Sequence, residues 1–491
     1  MKKSLFLFAF GLLTFTTSIQ AQDWVQVGAN IDGEAAEDVS GWSVSINSDG
    51  SIVAIGAPEN GGNGVQSGQV RVYQNISGTW TQIGQDIDGE AGGDLFGYSV
   101  SLNSDGSIVA IGALLNDGNG LYSGHVRIYQ NISGVWTQIG SDIDGEASYH
   151  LGSSVSISSD GSIVAIGAYH SGANGPSSGQ ARIYQNISGT WTQVGAEING
   201  EASGDNLGRS VSISSDGSIV AVGAPKSDAN GYNSGQVRVF QNISGTWTQI
   251  GQNLNGEASG DNFGWSVDLS SDGSIVAIGA PKNDGNGSDS GQVRVFQNIS
   301  GTWTQIGQNL IGEASGDNFG RSVSLSSEGS IVAIGAPKND GNGSDSGHVR
   351  IFQNISNTWI QIDQDIDGET SGDFFGNSVS LSSGGSVVAI GAPDNDVNST
   401  GPGYVRVYEN ASLGISELQE AGISIYPNPS SGVFNIKNAE NYDITITDIT
   451  GKIVYHTTAT TNEQVRLQQT GVYIIHFSSE AKRFSYKIIV E

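Results

Sequence analysis

With no cysteine in 491 residues, any chemistry in this chain has to come from histidines, carboxylates, hydroxyls and guanidinium groups. Disulfides, thiolate metal ligands and a cysteine nucleophile are excluded. The six histidines are His125, His150, His170, His348, His456 and His476, and they form no HExxH motif or His-rich tract of the kind that holds zinc. His125 and His348 occupy a repeated position that most copies fill with Gln, which reads as tolerated surface variation. His150, Tyr169 and His170 are the one local grouping that hints at acid–base catalysis. Calcium is the other candidate. Asp284, Asn286 and Ser288, and again Asp340, Asn342 and Ser344, carry oxygens at alternate positions as calcium loops do. The sixth position is Asp instead of Gly and the distal bidentate Glu is missing, so a polar turn held by local Asx hydrogen bonds accounts for the same residues.

Carboxylates and arginines also recur in register. Glu34, Glu90, Glu146, Glu201, Glu257, Glu313 and Glu369 each follow a Gly, and Arg71, Arg127, Arg182, Arg238, Arg294, Arg350 and Arg406 each sit in an apolar run. A catalytic pair is needed once, in one pocket. The same pair seven times over is expected to be structural, a partly buried Arg finding its carboxylate on the neighbouring repeat.

These recurrences belong to a repeat that fills residues 23–410. The tract Ser-Asp-Gly-Ser-Ile-Val-Ala-Ile-Gly-Ala returns with its acidic position at Asp49, Asp105, Asp160, Asp216, Asp272 and Glu328, and with Gly384 in the last copy. A second ladder runs Trp24, Trp80, Trp136, Trp191, Trp247, Trp303, Trp359. Each unit reads as four short strands. In the fifth copy they are Trp265–Leu269, Ile275–Ile278, Gln292–Phe296 and Thr302–Ile306, with a Ser271-Asp-Gly273 turn after the first. Four antiparallel strands at a period near 56 residues describe a propeller blade. The first element, Trp24–Val27, is a lone outer strand, and the last copy lacks one after Tyr404–Tyr408. The expected fold is therefore all-β: a seven-bladed β-propeller closed by an N-terminal strand, followed by a small C-terminal β-sandwich. The repeat resembles the FG-GAP family, through Phe263-Gly264 with Gly279-Ala-Pro281 and Phe319-Gly320 with Gly335-Ala-Pro337, and more weakly through Phe96-Gly97 and Phe375-Gly376. The resemblance implies a propeller used for recognition, as in integrin α chains. Integrin-type repeats often carry an acidic calcium loop between the first two strands; here that loop is only Ser-Ser-Asp-Gly or similar, so calcium binding there is not implied.

Against this uniform frame, the residue after the Phe-Gly position changes in every copy: Trp42, Tyr98, Ser153, Arg209, Trp265, Arg321, Asn377. The innermost strand of a blade starts beside the central channel, so these seven are expected to ring one mouth, where aromatic and Arg side chains suit capture of a sugar or peptide.

The chain ends carry addresses. Lys2-Lys3, an apolar run over Leu5–Phe15 and Ala21 read as a signal peptide over 1–21, cut between Ala21 and Gln22. Residues 22–410 are the propeller, 411–421 a linker and 422–491 a separate module. That module resembles the type A C-terminal sorting domain of the type IX secretion system, through Tyr426-Pro-Asn-Pro429, Thr450–Tyr455, Gly471-Val-Tyr473 and Lys487-Ile-Ile-Val490. The resemblance implies the type IX machinery as a partner and a location outside a Gram-negative cell, secreted or on its outer surface. The tail is neutral, whereas residues 22–421 hold 43 acidic and 12 basic residues, a balance of −31. That charge excludes a sequence-independent grip on nucleic acid, and no later run is long enough to cross a bilayer as a helix. The expectation is a non-enzymatic binding or adhesion module for an extracellular glycan or protein, with no obligatory cofactor. The alternatives are a polysaccharide- or protein-degrading enzyme on a propeller scaffold and a purely structural surface protein.

Overall fold

The computed structural model describes residues 24–394 and 401–410, and in the C-terminal module 423–426, 432–440, 442–448, 452–459, 462–467, 469–479 and 483–490. The expected cleavage site at Ala21 and Gln22, the linker and the Pro-Asn-Pro turn lie outside the described residues. Seven antiparallel sheets follow one another, each built from one repeat. In the first, Ser43–Ile46 is innermost, then Ile52–Ala57, Gln69–Ile76 and Thr79–Gln82. The four expected strands become five because the outer strand is interrupted. Thr79–Gln82 pairs with the end of Gln69–Ile76, the chain turns at Gly84 (φ 79°), and Ile87–Asp88 pairs again with its start. The second strand of each blade has almost every residue buried, which explains its unbroken Ile-Val-Ala-Ile run.

The ring closes as the two chain ends require. Val25–Gln26 pairs antiparallel with Tyr408 and Glu409, and Ile31–Asp32 with Tyr404 and Val405, completing the seventh sheet. A bare strand edge is thereby covered at both ends of the repeat array. Trp24 is buried at this seam, and its backbone N–H donates to the Asp363 carboxylate at 3.0 Å.

Neighbouring blades are stitched by three circuits of hydrogen bonds around the channel. In the first, the hydroxyl that opens each innermost strand donates to a glycine carbonyl of the next blade at 2.8–3.0 Å, from Ser43 to Gly97 and round to Ser378 to Gly41. In the second, a side-chain oxygen two residues further on accepts a backbone N–H of the next blade, at 2.7–3.1 Å. In the third, backbone N–H groups donate to backbone carbonyls from Ser48 to Ser104 and onward until Ser383 returns to Ser48, all at 2.9–3.0 Å.

The Phe-Gly and Gly-Ala signatures meet in this stitching. Gly264 and Gly320 stand at φ 89° and 88°, which aims each carbonyl at the preceding blade. A Cβ on Gly223 or Gly279 would lie 2.1 or 2.0 Å from those carbonyl oxygens, so only Gly fits there. The Phe side chains Phe96, Phe263, Phe319 and Phe375 are fully buried beneath the turn. The outer rim has its own ladder: the indole N–H groups of Trp80, Trp136, Trp191, Trp247, Trp303 and Trp359 each donate to a carbonyl of the preceding blade at 2.8–2.9 Å.

The C-terminal module has a three-stranded sheet (Ser424–Tyr426, Val433–Lys437, Asn462–Arg466) and a four-stranded one (Ile453–Thr458, Asp443–Asp448, Gly471–Ser478, Arg483–Val490). Phe434, Ile436 and Val465 of the first share one buried core with Ile444, Ile446, Ile475, Phe477 and Ile488 of the second, which is the expected sandwich.

Two stability predictions follow from the ring. Deleting residues 24–32 uncovers the edge of Tyr404–Glu409 and should lower the melting temperature of the propeller; an unchanged melt would refute closure by this strand. In the second circuit Asp268 replaces the Ser of the other six blades, and burial pushes its carboxyl up to about 6 from an ordinary 3.8. The folded form then binds a proton that the unfolded form gives up between these values, so this group costs stability as pH rises through 6. Asp268→Ser should therefore melt higher than the parent at pH 8, with the difference vanishing towards pH 4.

Candidate functional site

The seven variable residues converge. Trp42, Tyr98, Ser153, Arg209, Trp265, Arg321 and Asn377 together line one cavity of about 150 Å³ at the channel mouth. Six directly precede an innermost strand and Tyr98 lies near the start of one, Phe96–Leu102, so the blade frame alone sets their spacing. Their chemistry is uneven. Ser153 is buried, and its hydroxyl donates to the Gly167 carbonyl at 3.1 Å. Asn377 spends its amide on the Trp42 carbonyl at 3.2 Å. The other five are aromatic or Arg side chains. The rings of Trp42 and Tyr98 are 5.5 Å apart and tilted by 45°. The guanidinium carbons of Arg209 and Arg321 lie 4.6 and 4.8 Å from the Trp265 ring centre, a cation–π arrangement.

An aromatic wall that the variable-position pattern did not include adjoins this mouth. Tyr169 sits under Arg209 at 5.7 Å, and its ring is 4.5 Å from that of His170 and 5.6 Å from that of His150. The two histidine rings are 4.4 Å apart. Burial, with the charge of His170 adding to it, pushes His150 down to about 4; burial and the Lys226 charge lower His170. The pair is thus neutral near pH 7. The grouping noted in the sequence is real in space, but no carboxylate forms an ion pair or hydrogen bond with either imidazole among the described residues. Tyr169 takes the place of Pro in other copies; the cue to it was a break in the Gly-Ala-Pro frame.

Elsewhere the polar repeats are structural. All seven Arg–Glu pairs form, five of them at 3.1–3.7 Å, with Arg buried or nearly so and Glu about half exposed. Four of the arginines also donate to the carbonyl of a residue in the preceding blade's fifth strand, for example Arg294 to Asn255 at 2.6 Å. His125 and His348 are not surface residues, as the sequence reading had them: each is 1% exposed. They replace a Gln whose amide donates to the Glu of the Arg–Glu pair, as Gln69 does to Glu34 and Gln292 to Glu257, and desolvation pushes both down, His348 to about 4. Each lies near a carboxylate pair, Glu90 with Asp142 and Glu313 with Asp365; Arg127 engages both acids of the first pair, whereas in the second Arg350 engages Glu313, and Asp365 accepts from the Gln361 amide and lies 3.7 Å from the His348 imidazole.

The calcium-loop candidates have local duties. Asp284 and Asp340 each accept the backbone N–H five residues on, at 2.9 Å. Asn286 donates to the carbonyls of Gly312 and Glu313, and Asn342 to that of Gly368, latching each loop to the one that follows the blade. Asn63, Asn119, Asn174 and Asn230 make the same bond in other blades, whatever their neighbours. Ser288 and Ser344 are exposed. Asn286→Ala should cost about 1 kcal/mol of stability, the worth of such a hydrogen bond, equally in chelator and in millimolar calcium. A loss seen only with calcium present would restore the metal reading.

Comparison with known proteins fits this geometry. Residues 86–129, 199–240, 255–296 and 312–352 match the FG-GAP repeat, and residues 424–491 match the secretion system C-terminal sorting domain. None of the curated proteins matches the chain. Among solved structures, a periplasmic gluconolactonase of Pseudomonas aeruginosa is similar at 18% identity and a TM-score of 0.47, over 67% of this chain and 85% of its own. A candidate 6-phosphogluconolactonase from Bacteroides uniformis is similar at 12% identity and a TM-score of 0.49, over 84% and 99%. Likeness at this level transfers no chemistry. The chain is a β-propeller with four recognised FG-GAP repeats and a type IX C-terminal sorting domain, which delivers it to the cell exterior, secreted or on the outer surface.

Proposed function

We propose that this exported propeller is a non-catalytic recognition module, and that it holds an extracellular glycan or protein at the mouth framed by Trp42, Tyr98, Arg209, Trp265 and Arg321. One observation carries the reading. Residues common to the blades are consumed in holding the ring, whereas the position that varies among the blades, with five residue types over seven copies, lines a single opening. Large aromatic and Arg side chains there are the types that dominate binding energy at recognition sites. The neighbouring His150, Tyr169 and His170 support a neutral aromatic wall, since an imidazole held near 4 is a weak base at neutral pH.

The test is a glycan and matrix-protein array probed with the purified protein, with and without calcium, alongside a Trp42→Ala/Tyr98→Ala variant. The expected outcome is a hit weakened about tenfold or more in the variant while its melting curve is unchanged. Full binding by the folded variant would sink the proposal.

A further inference from the structure

Twelve basic residues lie between 22 and 421. Seven are the third-strand arginines, each held by its Glu. The remaining five are Arg209, Lys226, Lys282, Arg321 and Lys338. All five fall on the fourth, fifth and sixth blades, and all at one end of them. Arg209 and Arg321 directly precede the innermost strands Ser210–Ile213 and Ser322–Leu325. The lysines stand two residues beyond the second strands, which end at Ala224, Ala280 and Ala336 and run antiparallel to the first. In a domain with a balance of −31, every cation not used in blade packing is on the mouth side of one sector.

The two arginines are short of partners. Among the described residues neither forms an ion pair, and both face the same indole. Burial, and then the charge of Arg209, pushes Arg321 down to about 10. Two guanidinium groups set against one indole without a carboxylate leave their mutual repulsion uncompensated, and an oxyanion bound at either would relieve it while accepting forked N–H groups. The cavity, at about 150 Å³, has room for one acidic substituent and not for a folded segment. Across the mouth, on the first and second blades, the Trp42–Tyr98 pair offers flat apolar faces suited to the C–H face of a sugar ring.

We infer that the Arg209–Trp265–Arg321 sector takes the carboxylate or sulfate of an acidic saccharide, with Trp42 and Tyr98 receiving its sugar ring. This rests on the mouth being the recognition site. A long polyanion is disfavoured by the charge of the rest of the domain, so the ligand enters by an end or a short exposed stretch.

The experiment titrates the full protein, by calorimetry and tryptophan fluorescence, with a glucuronate-terminated oligosaccharide, a sulfated one, a neutral one of equal length and an acidic peptide. The expected result is binding of the uronate or the sulfated sugar, weakening with added salt. The neutral sugar and the peptide should bind at least about tenfold more weakly. Arg209→Gln and Arg321→Gln should each cost about tenfold for the acidic sugar, and Arg209→Lys should recover part of that loss. Arg209→Gln keeps the test decisive if the Arg321 variant fails to fold. Equal affinity for the neutral sugar, no effect of Arg209→Gln, or preference for the peptide would each overturn the inference while leaving the mouth as the site. No acidic-sugar binding, combined with array hits that ignore Trp42 and Tyr98, would overturn both.

Discussion

The structure depends on one contact: the carbonyl of the glycine at the end of each Phe-Gly signature, pressed against the second strand of the preceding blade. That approach needs a positive φ on one glycine and the absence of a side chain on another, seven times in a closed circle. The same carbonyl accepts the hydroxyl of the preceding blade's innermost strand, so each interface is fixed by packing and by hydrogen bonding at one point. A single blade could satisfy none of this alone. Its innermost strand is only four residues long in six of the seven copies, and its stability comes from its neighbours.

This arrangement separates two kinds of position. Wherever a residue touches the next blade, substitution is punished seven-fold by the same geometry, and the copies agree. Where the chain passes the channel mouth no blade-to-blade contact demands one residue type, and the copies differ. The Arg–Glu ring illustrates the first class. Its carboxylates are about half exposed, so each pair contributes at most about 1 kcal/mol, and the guanidinium bond to the preceding blade's backbone matters as much. The mouth illustrates the second class, since the same blade start presents Trp, Tyr, Ser, Arg or Asn.

The net charge acquires a location through the fold. A strong net charge of one sign opposes self-association in solution. The few cations outside the Arg–Glu ring are set apart at one sector of one opening.

The sequence by itself determined the blade count, the strand order, the ring closure, the sandwich tail and the seven mouth positions, because a repeat states the same local rule many times over. Period-two alternation, Asp-Gly turns and the Gly-Ala spacing are local signals, and their repetition makes them unambiguous. It did not determine the split outer strand, since the break depends on a backbone turn at Gly84 and its equivalents within an otherwise polar loop. His125 and His348 looked like surface variation because a polar residue at a strand start carries no sign of burial; only the packing of the following loop encloses them. Tertiary structure alone decided that Tyr169 stands beside Arg209 from the next blade, that Ser153 and Asn377 are tied to backbone, and that Arg209 and Arg321 share one indole without a carboxylate. Most of these contacts join side chains of different blades, and no local pattern encodes which side chain meets which.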